Sequence, residues 1–180
     1  MEQHHKLSFV YKQSITNISA SCSTFGIFSQ GIVRRTGTKR ALISSKTGVG
    51  TSFVPMLSIR NSNVKNLINN FTTLFLTQLS AAAEGTRNCN FVVLANPVLS
   101  GIPSWTAVDS SNSPVYYDTS ATGVSGGIQK YAFTLAKSTA TNIDLTDIDF
   151  NVIPGEVLTI AAKTTSGTSD IDVSLSWIED

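Results

Sequence analysis

The segment DIDVSLSW, residues 170–177, decides the fold class of this chain. Apolar side chains alternate in it with Asp and Ser at every second position. A period of two places the apolar set on one face of an extended strand and the polar set on the other, which is typical of an antiparallel sheet with one covered face. The segment therefore predicts a strand whose inward side chains are Ile171, Val173, Leu175 and Trp177.

Short apolar strands of this kind recur from Phe53 to Asp180, separated by Gly, Pro, Asn, Ser and Thr. Residues 90–95 are apolar on both faces, which indicates a central strand, and residues 128–136 alternate again with Tyr131, Phe133 and Leu135 inward. About eight strands spaced by roughly 8–12 residues are typical of a sandwich or barrel. We predict an all-β chain with an antiparallel, jelly-roll-like β-sandwich over residues 51–180.

The first 50 residues have a different pattern. Their apolar clusters are short and flanked by polar or basic residues, and none has the length or stripe of an independent helix. The stretch SSKTGVGTS, residues 44–52, has the composition of a flexible junction. We therefore predict an extended N-terminal arm over residues 1–50, which would become ordered against a partner.

Charge is distributed unevenly between the two parts of the chain. Residues 1–60 hold eight of the 13 Lys and Arg residues and one acid, whereas residues 61–180 hold five basic and eleven acidic residues. Such asymmetry indicates an interacting segment. An acidic protein surface is favoured over nucleic acid, because no aromatic residue interrupts residues 34–40 to stack on bases. The predicted partner-contact residues of the arm are Phe25, Phe28, Arg34, Arg35, Lys39 and Arg40.

Trp105 is the remaining predicted partner contact, since it lies in a loop with Gly101 and Pro103 and aromatic side chains anchor interfaces. With Tyr116 and Tyr117 it could also line a sugar-binding surface, and packing of the loop on its own domain is a third interpretation. Trp177 shares the phase of the inward residues and is assigned to the core.

The sequence predicts no catalytic residue, cofactor site or metal site, and hence no enzyme. The histidines, His4 and His5, lie at the start of the chain, and Cys22 and Cys89 are far apart without other ligands at zinc-site spacing. The acids near Asp144 lack the spacing of a calcium loop and are interpreted as a solvated strand face, although a carboxylate pair for glycoside hydrolysis stays open. No stretch has the length and apolarity of a membrane span or a signal peptide, so folding in a cytoplasm is expected.

Several segments together resemble a β-rich module of virion structural proteins of tailed bacteriophages. The resemblance covers residues 53–180 and is structural in character, with no catalytic motif. The segments that carry it are VPMLSIRN (54–61), FVVLANPVLSGIPSW (91–105), SPVYYDTSATGVSGG (113–127), PGEVLTIAAKT (154–164) and DVSLSWIED (172–180).

The resemblance implies a non-enzymatic role on a virus particle that is assembled in the host cytoplasm. The leading hypothesis is a capsid decoration (cement) protein that stabilises the shell through its β-domain and its arm. Its partners would be the major capsid protein or other virion proteins and further copies of itself, with a trimer as one form; neither membrane nor nucleic acid is expected. The alternatives are a tail, baseplate or fibre component and a carbohydrate-binding receptor module.

Overall fold

The computed structural model describes residues 37–146 and 150–180, and this part of the chain is built from β-strands without a helix. The strands, in chain order, are β1 (Thr38–Val49), β2 (Val54–Asn61), β3 (Val64–Lys65), β4 (Ile68–Asn69), β5 (Leu74–Glu84), β6 (Cys89–Ala95), β7 (Val98–Ser100), β8 (Thr106–Ala107), β9 (Val115–Asp118), β10 (Gly123–Ser125), β11 (Ile128–Leu135), β12 (Thr139–Asp144), β13 (Asn151–Val152), β14 (Val157–Thr164) and β15 (Ser169–Glu179).

The long strands form two antiparallel sheets. The first sheet has the order β1-β15-β5-β12, with β13 also paired to β5, and the second has the order β11-β6-β14-β2-β9-β8. Strands β3 and β4 form a small hairpin, and β7 pairs with β10. All pairings are antiparallel.

The connectivity of these sheets is that of a jelly roll. Counting only the long strands β1, β2, β5, β6, β11, β12, β14 and β15 along the chain, the sheets have the orders first-eighth-third-sixth and fifth-fourth-seventh-second. Consecutive strands thus pass repeatedly from one sheet to the other, as they do in a double Greek key. The prediction of an all-β, jelly-roll-like sandwich is confirmed.

The core lies between the two sheets and is filled by alternate residues of each strand. In β15, Ile171, Val173, Leu175 and Trp177 are buried, and the Asp and Ser residues between them face outward, as the alternation predicted. In β6, Phe91, Val92 and Val93 are all buried, which agrees with a central strand. Each large apolar side chain that leaves water contributes roughly 1.5–3 kcal/mol to folding.

The predicted boundary at residue 50 is wrong, because residues 38–49 belong to the sandwich. Strand β1 pairs with β15 from Thr38, opposite Glu179, to Val49, opposite Ser169. Its inward position Ser44 is buried and donates a hydrogen bond from its hydroxyl to the Met56 carbonyl at 2.6 Å. The remainder of the predicted arm, residues 1–36, lies outside the described residues.

The predicted flexible junction at residues 44–52 is largely this same strand. Gly48 has a φ of +66°, where the register of β1 shifts, and its N–H donates to the Asp170 carboxylate at 2.8 Å. Thr47 and Gly48, between the paired residues Lys46 and Val49, therefore form a β-bulge near the end of the strand. Composition alone does not separate such a bulge from a linker.

Deletion of residues 1–36 should leave a folded domain, whereas deletion of residues 1–50 should strongly destabilise it. The second deletion removes β1 and exposes both an unpaired edge of β15 and part of the core. We expect the melting temperature to fall by about 10 °C or more, or soluble protein to be lost, since 1 kcal/mol corresponds to about 2–4 °C at this size. Thermal unfolding followed by circular dichroism measures this difference, and equal melting of both deletion variants would contradict the placement of β1.

Candidate interaction surfaces

The two ends of the sandwich carry connections of different length. At one end, residues 50–53, 85–88, 136–138 and 165–168 make short turns between long strands. At the other end, β2 joins β5 through the β3–β4 hairpin, β6 joins β11 through the strands β7 to β10, and β12 joins β14 through β13. This second end is called the long-loop end below. Loops on a rigid scaffold are where binding residues concentrate.

Four large apolar side chains are exposed at the long-loop end, three in the β3–β4 hairpin and the fourth two residues after it. Val64, Leu67, Ile68 and Phe71 have exposed fractions of 45%, 99%, 70% and 85%, and they are called the hairpin patch. Asn66 and Leu67 form the tip with φ angles of 50° and 66°. Left-handed backbone at both central residues suits a tight hairpin, but it favours Asn or Gly over a bulky residue such as leucine. Leu67 therefore lowers the stability of the domain in two ways, through its left-handed backbone and through the exposure of its apolar side chain.

The base of the hairpin is held by asparagine side chains. Asn61 is fully buried, and its amide donates to the carbonyls of Thr72 at 2.8 Å and Val152 at 2.9 Å. The Asn70 amide donates to the Asn61 side-chain oxygen and to the Ser62 carbonyl, both at 2.7 Å. The asparagine-rich stretch of residues 61–70 is thus an anchored hairpin. An open groove of about 560 Å³ lies beside it, between Phe71, Pro114 and Asp180.

Two aspartates fix the long β6–β11 connection. Asp118 is buried and its carboxylate accepts hydrogen bonds from the N–H groups of Ser104 and Ala121 and from the Ser120 hydroxyl. Burial acts to raise the pKa of Asp118, but the hydrogen bond from the Ser120 hydroxyl and those from the backbone outweigh it, so the pKa lies below the usual value. The carboxylate is therefore ionised and holds the connection in one shape.

Asp109 plays a similar part in the turn between β8 and β9. Its carboxylate accepts from the backbone N–H and side-chain amide of Asn112 and from the Ser111 N–H. These hydrogen bonds, led by the backbone N–H of Asn112, lower the pKa of Asp109 to about 2. The Arg40 guanidinium makes a further contact at 3.1 Å.

Arg40, a predicted partner contact, takes part in a polar network inside the domain. Its Nη2 donates to Asp109, and its Nε lies 3.7 Å from the buried carboxylate of Glu179. That Nε is buried and has no hydrogen-bond partner among residues 37–146 and 150–180. Glu179 also accepts hydrogen bonds from the Ser113 hydroxyl at 2.7 Å and from the Trp177 indole N–H at 3.2 Å. The network ties β1, β15 and the β8–β9 turn together.

Trp105 lies against its own domain. Its ring centroid is 4.6 Å from the guanidinium carbon of Arg60, which is also 5.3 Å from the ring centroid of Tyr116. All three side chains are half-buried. The loop packing that the sequence analysis considered for Trp105 is thus present, and part of the ring stays open to solvent.

The three predicted partner-contact residues that the structure describes do not form one site. Lys39 is exposed on β1, Arg40 lies in the internal network, and Trp105 stacks on Arg60. Phe25, Phe28, Arg34 and Arg35 lie outside the described residues. The hairpin patch was not predicted from the sequence. The available signal was three large apolar residues, Leu67, Ile68 and Phe71, within an asparagine-rich stretch.

The described residues contain no cluster of three or more His, Cys, Asp or Glu side chains that could bind a metal ion. Cys89 is a buried free thiol whose pKa is raised by burial. A helix long and apolar enough to cross a membrane is likewise absent from residues 37–146 and 150–180.

Comparison with known proteins gives little guidance. No family model matches the chain, and no curated protein matches it. Among solved structures, a chain of turnip yellow mosaic virus aligns with 81% of this chain and 95% of its own length, at 12% identity and a TM-score of 0.27. A TM-score this low supports no inference about fold or function, which therefore rest on the strand order and the surfaces described above.

Substitution of Glu179 by Ala should destabilise the domain by about 2 kcal/mol, because it leaves the Ser113 hydroxyl and the Trp177 indole N–H without their acceptor and removes an ion-pair partner of Arg40. Urea unfolding gives the free energy. The matched control is Asp172→Ala on the outward face of the same strand, where a change within about 0.5 kcal/mol is expected. Equal effects of the two substitutions would show that the network does not stabilise the fold.

Stability should fall as the pH is lowered from about 4 towards 2, in part through Asp109. The pKa of this carboxyl is lowered on folding, so its contribution is complete above the ordinary value of 3.8 and is lost as the pH falls through about 2. The variant Asp109→Asn should melt at a lower temperature at pH 6 and show a smaller further loss between pH 4 and pH 2. Melting curves at stepped pH, with Asp172→Asn as control, measure this, and an unchanged acid profile in the Asp109 variant would contradict the assignment.

Proposed function

We propose that this chain is a virion structural protein, and more specifically a capsid decoration protein of a tailed bacteriophage. In this role the β-domain binds the outside of the shell and the N-terminal segment makes a second contact. The jelly roll is an architecture that viral capsid domains use, but lectins and other proteins use it as well. The fold supports the proposal only together with a surface that would bind other proteins.

The single observation that carries the proposal is the hairpin patch. Four large apolar side chains are exposed within residues 64–71, and two of them, Ile68 and Phe71, line the same open groove. Exposed apolar surface of this kind marks a site of interaction. Leu67 is the extreme member, since it combines a left-handed backbone with almost complete exposure. Backbone strain that is retained at such a tip is a hallmark of functional sites. Burial of each side chain against a partner would contribute roughly 1.5–3 kcal/mol.

The hydrogen-bonded pair of Asn61 and Asn70 makes this patch suitable for binding. Because Asn61 and Asn70 fix the hairpin base, the apolar side chains are presented in one arrangement, which lowers the conformational entropy lost on binding. A shell offers the same contact many times. Modest affinity per contact is then sufficient when a homo-oligomer, such as a trimer, engages several sites at once.

The N-terminal segment supplies the electrostatic part of the proposal. Residues 1–36 contain Lys6, Lys12, Arg34 and Arg35 against the single acid Glu2. A segment of this charge would bind an acidic surface of the major capsid protein or another virion protein, and the attraction would weaken with added salt. The proposed role is non-enzymatic and requires neither membrane nor nucleic acid.

Localisation on particles tests the proposal directly. Antibodies raised against residues 37–180 should label the heads of phage particles whose genome encodes the chain, at many positions per particle. Gold labels seen by electron microscopy decide the location. Labelling confined to the tail, baseplate or fibres would replace the decoration role with a tail role, and particles without the protein would overturn the virion assignment.

The variant Leu67→Asn should bind shells at least tenfold more weakly while melting at the same or a slightly higher temperature. Asparagine tolerates the left-handed backbone better than leucine and removes an exposed apolar side chain, so the domain loses nothing by the change. Co-sedimentation with shells stripped of the protein measures binding. Ile43→Asn is the matched control, since Ile43 is 73% exposed on β1 and lies outside the patch. Equal binding by both variants would show that the hairpin patch is not the contact.

A further inference from the structure

Arg60 is a cation that lies beside two aromatic rings and has no anionic partner among residues 37–146 and 150–180. It lies near the end of β2, beside Trp105 and Tyr116, at the two distances given above. No hydrogen bond or ion pair joins its guanidinium to another described residue, and its nitrogens are not among the buried unpaired atoms of that part of the chain. Arg40, in contrast, has Asp109 and Glu179 as partners.

The guanidinium of Arg60 has free hydrogen-bond donors within the described part of the chain. The five N–H donors of arginine point outward in the plane of the group, in a fork that matches the two oxygens of a carboxylate. The two aromatic rings contact the cation without offering an oxygen acceptor, and no residue among 37–146 and 150–180 accepts a hydrogen bond from it. Arg60 therefore retains the capacity for a bidentate bond to an anion from solution.

The three side chains are fixed by separate parts of the fold. Tyr116 lies directly opposite Arg60 in the pairing of β9 with β2. Trp105 follows Ser104, whose N–H donates to Asp118 at 2.7 Å and to the Ser120 hydroxyl at 2.9 Å. The carboxylate of the nearby Glu156 accepts a hydrogen bond from the Ile153 N–H within its own turn. The arrangement is therefore preorganised before any ligand arrives.

We propose that Arg60, Trp105 and Tyr116 form a binding site for an acidic glycan, with Arg60 binding the carboxylate of a uronic or similar sugar acid. Both rings remain partly exposed beside the guanidinium, so apolar surface flanks the place where the carboxylate would sit. A sugar acid carries its carboxylate on a ring with apolar C–H groups, and these can pack on the aromatic side chains. A free phosphate or an acidic peptide would use the cation but not the adjoining ring surface. The site is independent of the proposed virion role.

The test is a titration of the full-length protein with a tetrasaccharide that contains glucuronic acid, followed by NMR. The chain has two tryptophans, so the indole N–H signal of Trp105 reports on the site and that of the buried Trp177 is an internal reference. We expect saturable shifts of Trp105 alone. The same tetrasaccharide with its carboxyl groups reduced to alcohols should bind at least tenfold more weakly, since bonds to a charged group are lost.

Two arginine variants separate recognition from general charge. Arg60→Gln, and also Arg60→Lys, which keeps the charge but loses the fork, should weaken binding about tenfold or more while the Trp177 signal stays in its folded position. Arg87→Gln changes another arginine, near Gly167, and should bind like the parent protein. Equal affinity for the reduced tetrasaccharide, for polyglutamate or for inorganic phosphate would overturn the glycan proposal, as would the absence of any shift at millimolar ligand.

Discussion

The fold depends on the insertion of the last strand between the first and the third of the eight long strands. Strand β15 pairs with β1 on one side and with β5 on the other, so the first sheet has no continuous centre until the end of the chain is in place. The contacts it makes are non-local, and Trp177 and its apolar neighbours in this strand fill much of the core. Such long-range pairing makes folding slow relative to proteins of local topology. The loops that carry the candidate interaction surfaces are therefore positioned by a sandwich that is complete only when β15 has paired with β1 and β5.

The strands with strong alternation of apolar and polar residues could be predicted from the sequence. Strands whose inward positions are polar could not. In β15 and β11 the apolar residues mark the buried face directly. In β1 the inward positions include Ser44, which is satisfied by a carbonyl of β2, and Arg40, which is neutralised by carboxylates distant in sequence. Since these partners become visible only once the chain is folded, β1 resembles a polar linker when it is considered by composition.

The same limit applies to the candidate surfaces. The charge asymmetry of the chain predicted an interacting basic segment, with Arg40 among its contacts, yet Arg40 and also Lys46 are engaged inside the domain. The Lys46 ammonium donates to the Ala121 carbonyl at 2.8 Å, and its pKa is lowered by burial, opposed by Asp118. The loop of Trp105 predicted a contact residue, but its contact with Arg60 could not be predicted, because the two residues meet only through the pairing of β9 with both β2 and β8. The hydrophobic periodicity of a strand carries no information about side-chain contacts between residues that are distant in sequence.

The unequal ends of the sandwich separate the part of the chain that must be conserved in length from the part that can change. At the end with short turns, each connection spans the gap between strands with three or four residues, so an insertion or deletion there would disturb the register of the core. At the long-loop end, the entropy of closing a loop grows only slowly with its length, and longer or shorter hairpins cost little. Recognition can therefore diversify by insertion and deletion at one pole of the molecule while the fold is inherited unchanged.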